Sequence, residues 1–196
     1  MLTDFLLKNV ARHISLDQDE ASYFISLVKE RKIPRKSVVL EEAQICREIC
    51  FVQSGALRAF YRDKTGKEST IMFATQDWWI TDMFSFINQQ PTMVNIEAIE
   101  DSIILPLRKD DLDILYIKVP KFERFFRIIM QNAYIREQVR VTQNLSLSAE
   151  ERYHIFLEKY PQVAQKVTQK QIASYLGITP EFLSSIRRNK TRRGIS

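Results

Sequence analysis

The sequence predicts an α+β protein: an N-terminal antiparallel β jelly roll, then a long helix, then a C-terminal helix-turn-helix. Three observations carry this. Short runs rich in Val, Ile and aromatic residues recur between turns from about residue 36 to 107. A stretch free of Pro and Gly spans residues 121–147, and residues 168–188 hold two short capped helical patterns flanking Gly177. The expected units are residues 1–118, 119–147 and 148–196.

In the first unit, residues 17–31 place Tyr23/Phe24, Leu27 and Val28 on one helical stripe, with Asp17 as N-cap, Glu20 as its capping-box partner and Pro34 as the stop. The following runs SVVL, ICFV, ALRAFY, STIMF, VNIEAI and SIILPL are strand-like, punctuated by Gly55 and by residues 63–67. In residues 55–62, Leu57, Ala59 and Tyr61 alternate with Arg58, Phe60 and Arg62, the pattern of a half-buried strand. Many short strands with frequent turns favour a barrel or jelly roll over a parallel sheet. A helical stretch, residues 81–90, interrupts the series before Pro91. The pair Asp110-Asp111 falls at a helix start, where capping explains it.

The long stretch begins after Pro120 and is apolar on more than one face, so it must be covered on several sides. At about 1.5 Å per residue it spans roughly 40 Å. One side can pack on the barrel while the other meets a second copy, with Phe122, Phe125, Ile129 and Ala133 as the expected dimer contacts. A helix buried wholly within one chain is the alternative.

Charge then separates the ends. Residues 1–160 hold 22 Lys+Arg against 23 Asp+Glu, whereas residues 161–196 hold 7 against the single acid Glu181. That asymmetry points to a polyanion-binding end on a nearly neutral body, the alternative being a solvated basic tail. Within it, Thr168 caps a first helix with Ile172, Ala173 and Leu176 inward, and Gly177 supplies the positive φ of a tight turn. Thr179 caps a second helix that starts at Pro180, whose Leu183 and Ile186 face the first. A helix-turn-helix of this design lays its second helix in the DNA major groove. Glu181, Ser184 and Ser185 are the candidate base contacts, and Thr168, Thr179, Arg187 and Arg188 the candidate backbone contacts. Lys190, Arg192 and Arg193 add cations. A plain αα-hairpin with a basic surface is the alternative.

The stretch QIASYLGITPEFLSSIRR closely resembles the helix-turn-helix of Crp/Fnr-type bacterial transcription regulators. The likeness runs through ICFVQSGALRAFYRDKTGKESTIMF, FSFINQQPTMVNIEAIEDS, the long helix and ERYHIFLEKYP, essentially the whole chain. It implies a cyclic-nucleotide-binding-like roll, a dimerising helix and a winged helix-turn-helix. Members that bind cyclic AMP carry Gly-Glu-Leu for the ribose and Arg-Ser or Arg-Thr for the phosphate. Here the matching residues are Thr81-Asp82-Met83 and Pro91-Thr92. A buried phosphate needs a cationic fork that Pro91 does not supply. Asp82 and Thr92 remain the candidate effector-pocket residues, with an unidentified small molecule, or none, as effector. The recognition helix departs too: the family's cyclic-AMP receptor has Arg-Glu and a further Arg where this chain has Pro180-Glu181 and Ser185, so a different operator is expected. The wing after that helix is expected to be very short or absent.

The remaining chemistry is sparse. An iron–sulfur cluster wants about four thiolates, and the chain has only Cys46 and Cys50, of which Cys50 reads as a small core residue and the pair as an open redox alternative. Nothing selects a haem ligand. His13 and His154 lie outside the barrel segment, so a cupin-type metal site is not expected. Walker, dinucleotide and nucleophile-elbow patterns are missing. The expectation is therefore no enzyme, no cofactor and no metal, and a cytoplasmic chain with no membrane span. It is expected to act as a homodimer on a palindromic double-stranded operator, with RNA polymerase as an open further partner. The competing expectation is a ligand-binding or protein-interaction module with a vestigial helix-turn-helix.

Overall fold

Asp17 and Glu20 exchange hydrogen bonds, Asp17 Oδ1 accepting from Glu20 N and Glu20 Oε2 from Asp17 N, each at 2.9 Å. This capping box starts α2 (Gln18–Leu27). The computed structural model describes residues 4–193, with side chains to Asn189. A helix that the sequence reading did not anticipate, α1 (Asp4–Ala11), precedes α2 and sinks Leu6 and Val10 into the core. The helix expected to run to residue 31 stops at Leu27, because Arg31–Ile33 is drawn into a sheet as β1.

Two four-stranded antiparallel sheets form the roll. One has the order β1, β8 (Ser102–Arg108), β3 (Glu48–Ser54), β6 (Trp79–Ile80). The other has the order β2 (Val38–Leu40), β7 (Val94–Ala98), β4 (Ala56–Arg62), β5 (Glu68–Thr75). The chain switches sheets between β3 and β4 at Gly55, whose φ is +90° and which packs against Ser102. Asp63 shapes the β4–β5 turn by accepting from Thr65 N at 2.8 Å and Lys67 N at 3.1 Å. The short α3 (Met83–Asn88) connects β6 to β7.

β8 leads through α4 (Lys109–Lys118) into α5 (Lys121–Ser146), the expected long helix. Its first turns pack against the roll and α2. Phe122 and Phe125 are 0% exposed and Phe126 4%, with Phe122 against Phe24 at 4.5 Å and Phe126 against Trp79 at 5.4 Å between ring centres. The expectation that Phe122 and Phe125 meet a second copy is therefore corrected. They pack with Phe24 of α2 and Trp79 of β6, where the apolar gain of burial within one chain is already complete. Ile129 also packs against this core, while Ala133 is half-buried.

The C-terminal unit among the described residues is wholly helical: α6 (Ala149–Lys159), α7 (Pro161–Lys166), α8 (Gln169–Leu176) and α9 (Pro180–Arg193). Its core includes Phe156, Val163, Ala173 and Leu183, and it is continuous with Ala56, Phe73 and Ile99 of the roll. The outer face of β4 is thus covered, which changes the expected alternation. Arg58 and Phe60 are 4% and 1% exposed, whereas Tyr61 is exposed. Arg58 tolerates burial because Glu97 and Glu68 each pair with it at 2.6 Å and the Phe60 ring lies 4.1 Å from its guanidinium carbon.

Candidate nucleic-acid interface and effector cavity

Thr168 begins α8 with a complete capping box: its Oγ1 accepts from Gln171 N at 3.2 Å and Gln171 Oε1 accepts from Thr168 N at 2.9 Å. Gly177 follows in the left-handed region at φ +68°, and Ile178 N closes the turn on Ala173 O at 3.0 Å. Thr179 Oγ1 then accepts from Phe182 N at 3.2 Å at the start of α9. Ala173 and Leu183 are 0% exposed where the two helices meet. These local rules orient the outer face of α9.

Glu181, Arg187 and Arg188 are exposed on that face, and Ser184 and Ser185 are half-buried. Ser184 Oγ donates to Pro180 O at 2.9 Å and Ser185 Oγ to Phe182 O at 2.7 Å. Glu181, Ser184, Arg187 and Arg188 border one open concavity of about 690 Å³ together with Tyr153, Leu157 and Gln169. The side chains of Lys190, Arg192 and Arg193 lie outside the described residues. Phe182, which sequence reasoning missed, is 52% exposed next to Glu181. The signal was available: Leu183 and Ile186 define the buried stripe, and a helical step of about 100° carries Phe182 off it.

The head is fastened to the roll at several points. Ser174 Oγ accepts from Thr70 N at 2.7 Å and donates to Glu68 O at 2.9 Å, filling the free edge of β5. Phe73 packs against Phe156 and Tyr175 at 6.0 and 5.4 Å, and Lys166 pairs with Glu100 at 2.6 Å. The second half of α5 lies alongside, Arg136 over Trp78 at 5.0 Å and Arg140 over Tyr175 at 5.8 Å. Burial, then the charges of Arg136 and Arg140, pushes the Lys159 ammonium below its ordinary pKa. Beyond this contact, α5 leaves Tyr134, Ile135, Val139, Val141 and Leu145 exposed.

In the roll, Asp82 caps α3 by accepting from Phe84 N at 3.2 Å. Thr92, 2% exposed, donates to Asp82 Oδ2 at 2.5 Å and accepts from Val94 N at 2.9 Å. The two predicted effector residues are thus adjacent, and they bond to each other. A separate cavity of about 240 Å³ opens between β2, β7 and the start of β3, lined by Cys46 and Cys50 among others. Burial pushes the Cys50 thiol far up, with lesser contributions from Glu48 and Cys46, so it stays protonated. Cys46 Sγ lies 3.2 Å from Thr81 Oγ1. Among the described residues, three or more His, Cys, Asp or Glu nowhere gather as a metal site, and no helix is long and apolar enough to cross a membrane.

A jelly roll carrying a cavity, joined by one long helix to a surface-mounted helix-turn-helix, defines a two-part architecture. Comparison with known proteins gives it a family context. Residues 30–118 match the cyclic nucleotide-binding domain family. The regulatory protein HlyX of Actinobacillus pleuropneumoniae is 23% identical over 184 residues, 88% of this chain and 76% of that protein. The anaerobic regulatory protein of Pasteurella multocida is 23% identical over 193 residues, 92% of this chain and 70% of that one. Two solved structures share the fold. The c-di-GMP-responsive regulator CLP of Xanthomonas campestris superposes with a TM-score of 0.73 at 14% identity, covering 91% of this chain and 93% of that one. A crp/fnr-family transcriptional regulator of Eubacterium rectale gives 0.72 at 17%, covering 91% and 85%.

Proposed function

We propose that this chain is a sequence-specific DNA-binding transcription regulator of the Crp/Fnr type, acting as a homodimer. The observation that carries the reading is α9: buried apolar residues fix it to α8, while Glu181, Phe182, Arg187 and Arg188 face outward. Its Glu181 carboxylate can accept from a cytosine amino group and Phe182 can meet a thymine methyl. Arg187 and Arg188 are the proposed phosphate contacts, as are the helix N-termini capped by Thr168 and Thr179. The relatives named above are regulators, which supports the same reading.

The apolar residues left exposed on the second half of α5 are the proposed dimer face, with Ala133 and Ile129 at its upper end. Two copies joined there would present recognition helices about 34 Å apart to successive major grooves. The domain divisions at residues 118 and 147 follow from this reading. Effector control would act by changing how the head rests against β5 and α5. No catalytic role is assigned to any residue.

Selection of genomic DNA fragments by the purified chain at low and moderate salt tests the proposal. A recovered palindromic motif is the expected result. Absence of any salt-dependent DNA retention would overturn it in favour of an interaction module.

A further inference from the structure

The cavity beside Cys46 has a lining that specifies a ligand. Val39, Leu40, Ile45, Ile80 and Ile96 make its walls, and the thiols of Cys46 and Cys50 add soft apolar surface. Its three polar side chains are Gln44, Arg47 and Glu48. Glu48 is already held by Arg31, which donates to both carboxylate oxygens at 2.8 Å. Arg47 is exposed and pairs with no carboxylate among the described residues, although its own carbonyl accepts from Lys109 N at 2.9 Å. Gln44 Oε1 accepts from Glu41 N at 3.3 Å, leaving the amide nitrogen to donate. The cavity therefore offers an aliphatic interior with two donors, one cationic.

A cyclic nucleotide suits this lining poorly. Its sugar hydroxyls and purine edge would lie against aliphatic carbon, where unpaired polar groups are costly. Asp82 and Thr92 satisfy each other instead of facing the cavity. The volume of about 240 Å³ falls just below the roughly 300–1,000 Å³ of pockets for drug-sized ligands.

We propose that this cavity binds a small amphipathic monocarboxylic acid, its hydrocarbon part between β2, β6 and β7 and its carboxylate on Arg47 and Gln44. The proposal rests on reading the roll as a sensing unit but is independent of DNA binding.

Octanoate, octan-1-ol and cyclic AMP are the probes, titrated calorimetrically into the full chain. Octanoate should bind about tenfold or more tightly than octan-1-ol, the difference expected of a charge-assisted contact. Arg47→Gln, at an exposed position, should abolish that preference while leaving octan-1-ol binding within about twofold. Val39→Phe should fill the cavity and suppress binding of both. Octanoate should also slow alkylation of Cys46, read by mass spectrometry against Cys46→Ser. The assignment is overturned by absence of octanoate binding up to its solubility, by an Arg47→Gln variant that keeps the preference, or by cyclic AMP binding more tightly than octanoate. A chain that binds octanoate yet retains no DNA would remove the regulator reading and leave this cavity assignment standing. Selection of an operator with no octanoate binding would do the reverse.

Discussion

Ser174 on α8 closes the edge of β5: its hydroxyl accepts from Thr70 N at 2.7 Å and donates to Glu68 O at 2.9 Å. A free strand edge presents unpaired N–H and C=O groups, and here one serine of the C-terminal helical unit satisfies two of them. The helix that positions α9 is thereby tied to the sheet that carries the roll.

Ser174→Ala should cost about 1–3 kcal/mol, because it strands both backbone groups in a part-buried junction. Urea denaturation of the purified chain measures it. A loss below experimental error would show that water replaces the hydroxyl there.

Arg58 gives a pH-dependent prediction. Burial opposes ionisation of Glu68, but the hydrogen bond and charge of Arg58, and then those of Arg62, outweigh it and hold the carboxyl below its ordinary pKa. A carboxyl depressed in the folded state contributes stability above its unfolded value, about 4.3, and that stability is lost as pH falls through the folded value. Arg58→Met leaves Glu68 and Glu97 without their buried partner and should cost about 3–5 kcal/mol at neutral pH. The deficit should narrow below about pH 4, as Glu68 takes up its proton. Urea midpoints between pH 7 and 3 decide it; a deficit constant with pH would exclude this charge network as the cause.

Two glycines should respond unequally to alanine. At Gly177, φ is +68° and an added Cβ meets nothing within 4 Å, so only backbone strain of about 1 kcal/mol is expected. At Gly55 a Cβ would lie 2.7 Å from the Ser102 backbone as well as requiring φ +90°. Gly55→Ala should therefore destabilise the roll several times more, as judged by thermal melting of the two variants side by side.

The outer face of α5 separates assembly from folding. Ile135→Glu and Val139→Glu alter residues 58% and 46% exposed in the single chain, so sedimentation should show monomers of unchanged helicity. Phe122→Ala should instead destabilise the monomer by about 3–5 kcal/mol. Dimers that persist in the double glutamate variant would place the interface elsewhere.

On α9, Arg188→Ala should weaken all DNA sequences alike and reduce the salt slope by about one. Glu181→Ala should instead relax preference at one position per half-site, worth about 1–3 kcal/mol of discrimination. Binding-site selection with each variant distinguishes the roles, and identical specificity profiles would show them misassigned.

Much of this architecture was legible along the chain because it depends on local rules. Caps at Asp17, Thr168 and Thr179, the left-handed turn at Gly177 and the stripe of Leu183 and Ile186 are written within a few residues of one another. The order of jelly roll, long helix and helix-turn-helix follows from them. Tertiary packing decided what periodicity cannot express. Arg58 is buried only because Glu68 and Glu97, 10 and 39 residues away, converge on it. Phe122 and Phe125 are buried because Phe24 and Trp79, distant in the chain, pack against them, leaving Tyr134, Ile135, Val139, Val141 and Leu145 to face outward. The cavity draws Leu40, Arg47, Ile80 and Ile96 from four separate stretches of chain. Burial and cavity shape are sums over distant neighbours, so they exist only once the sheets have closed.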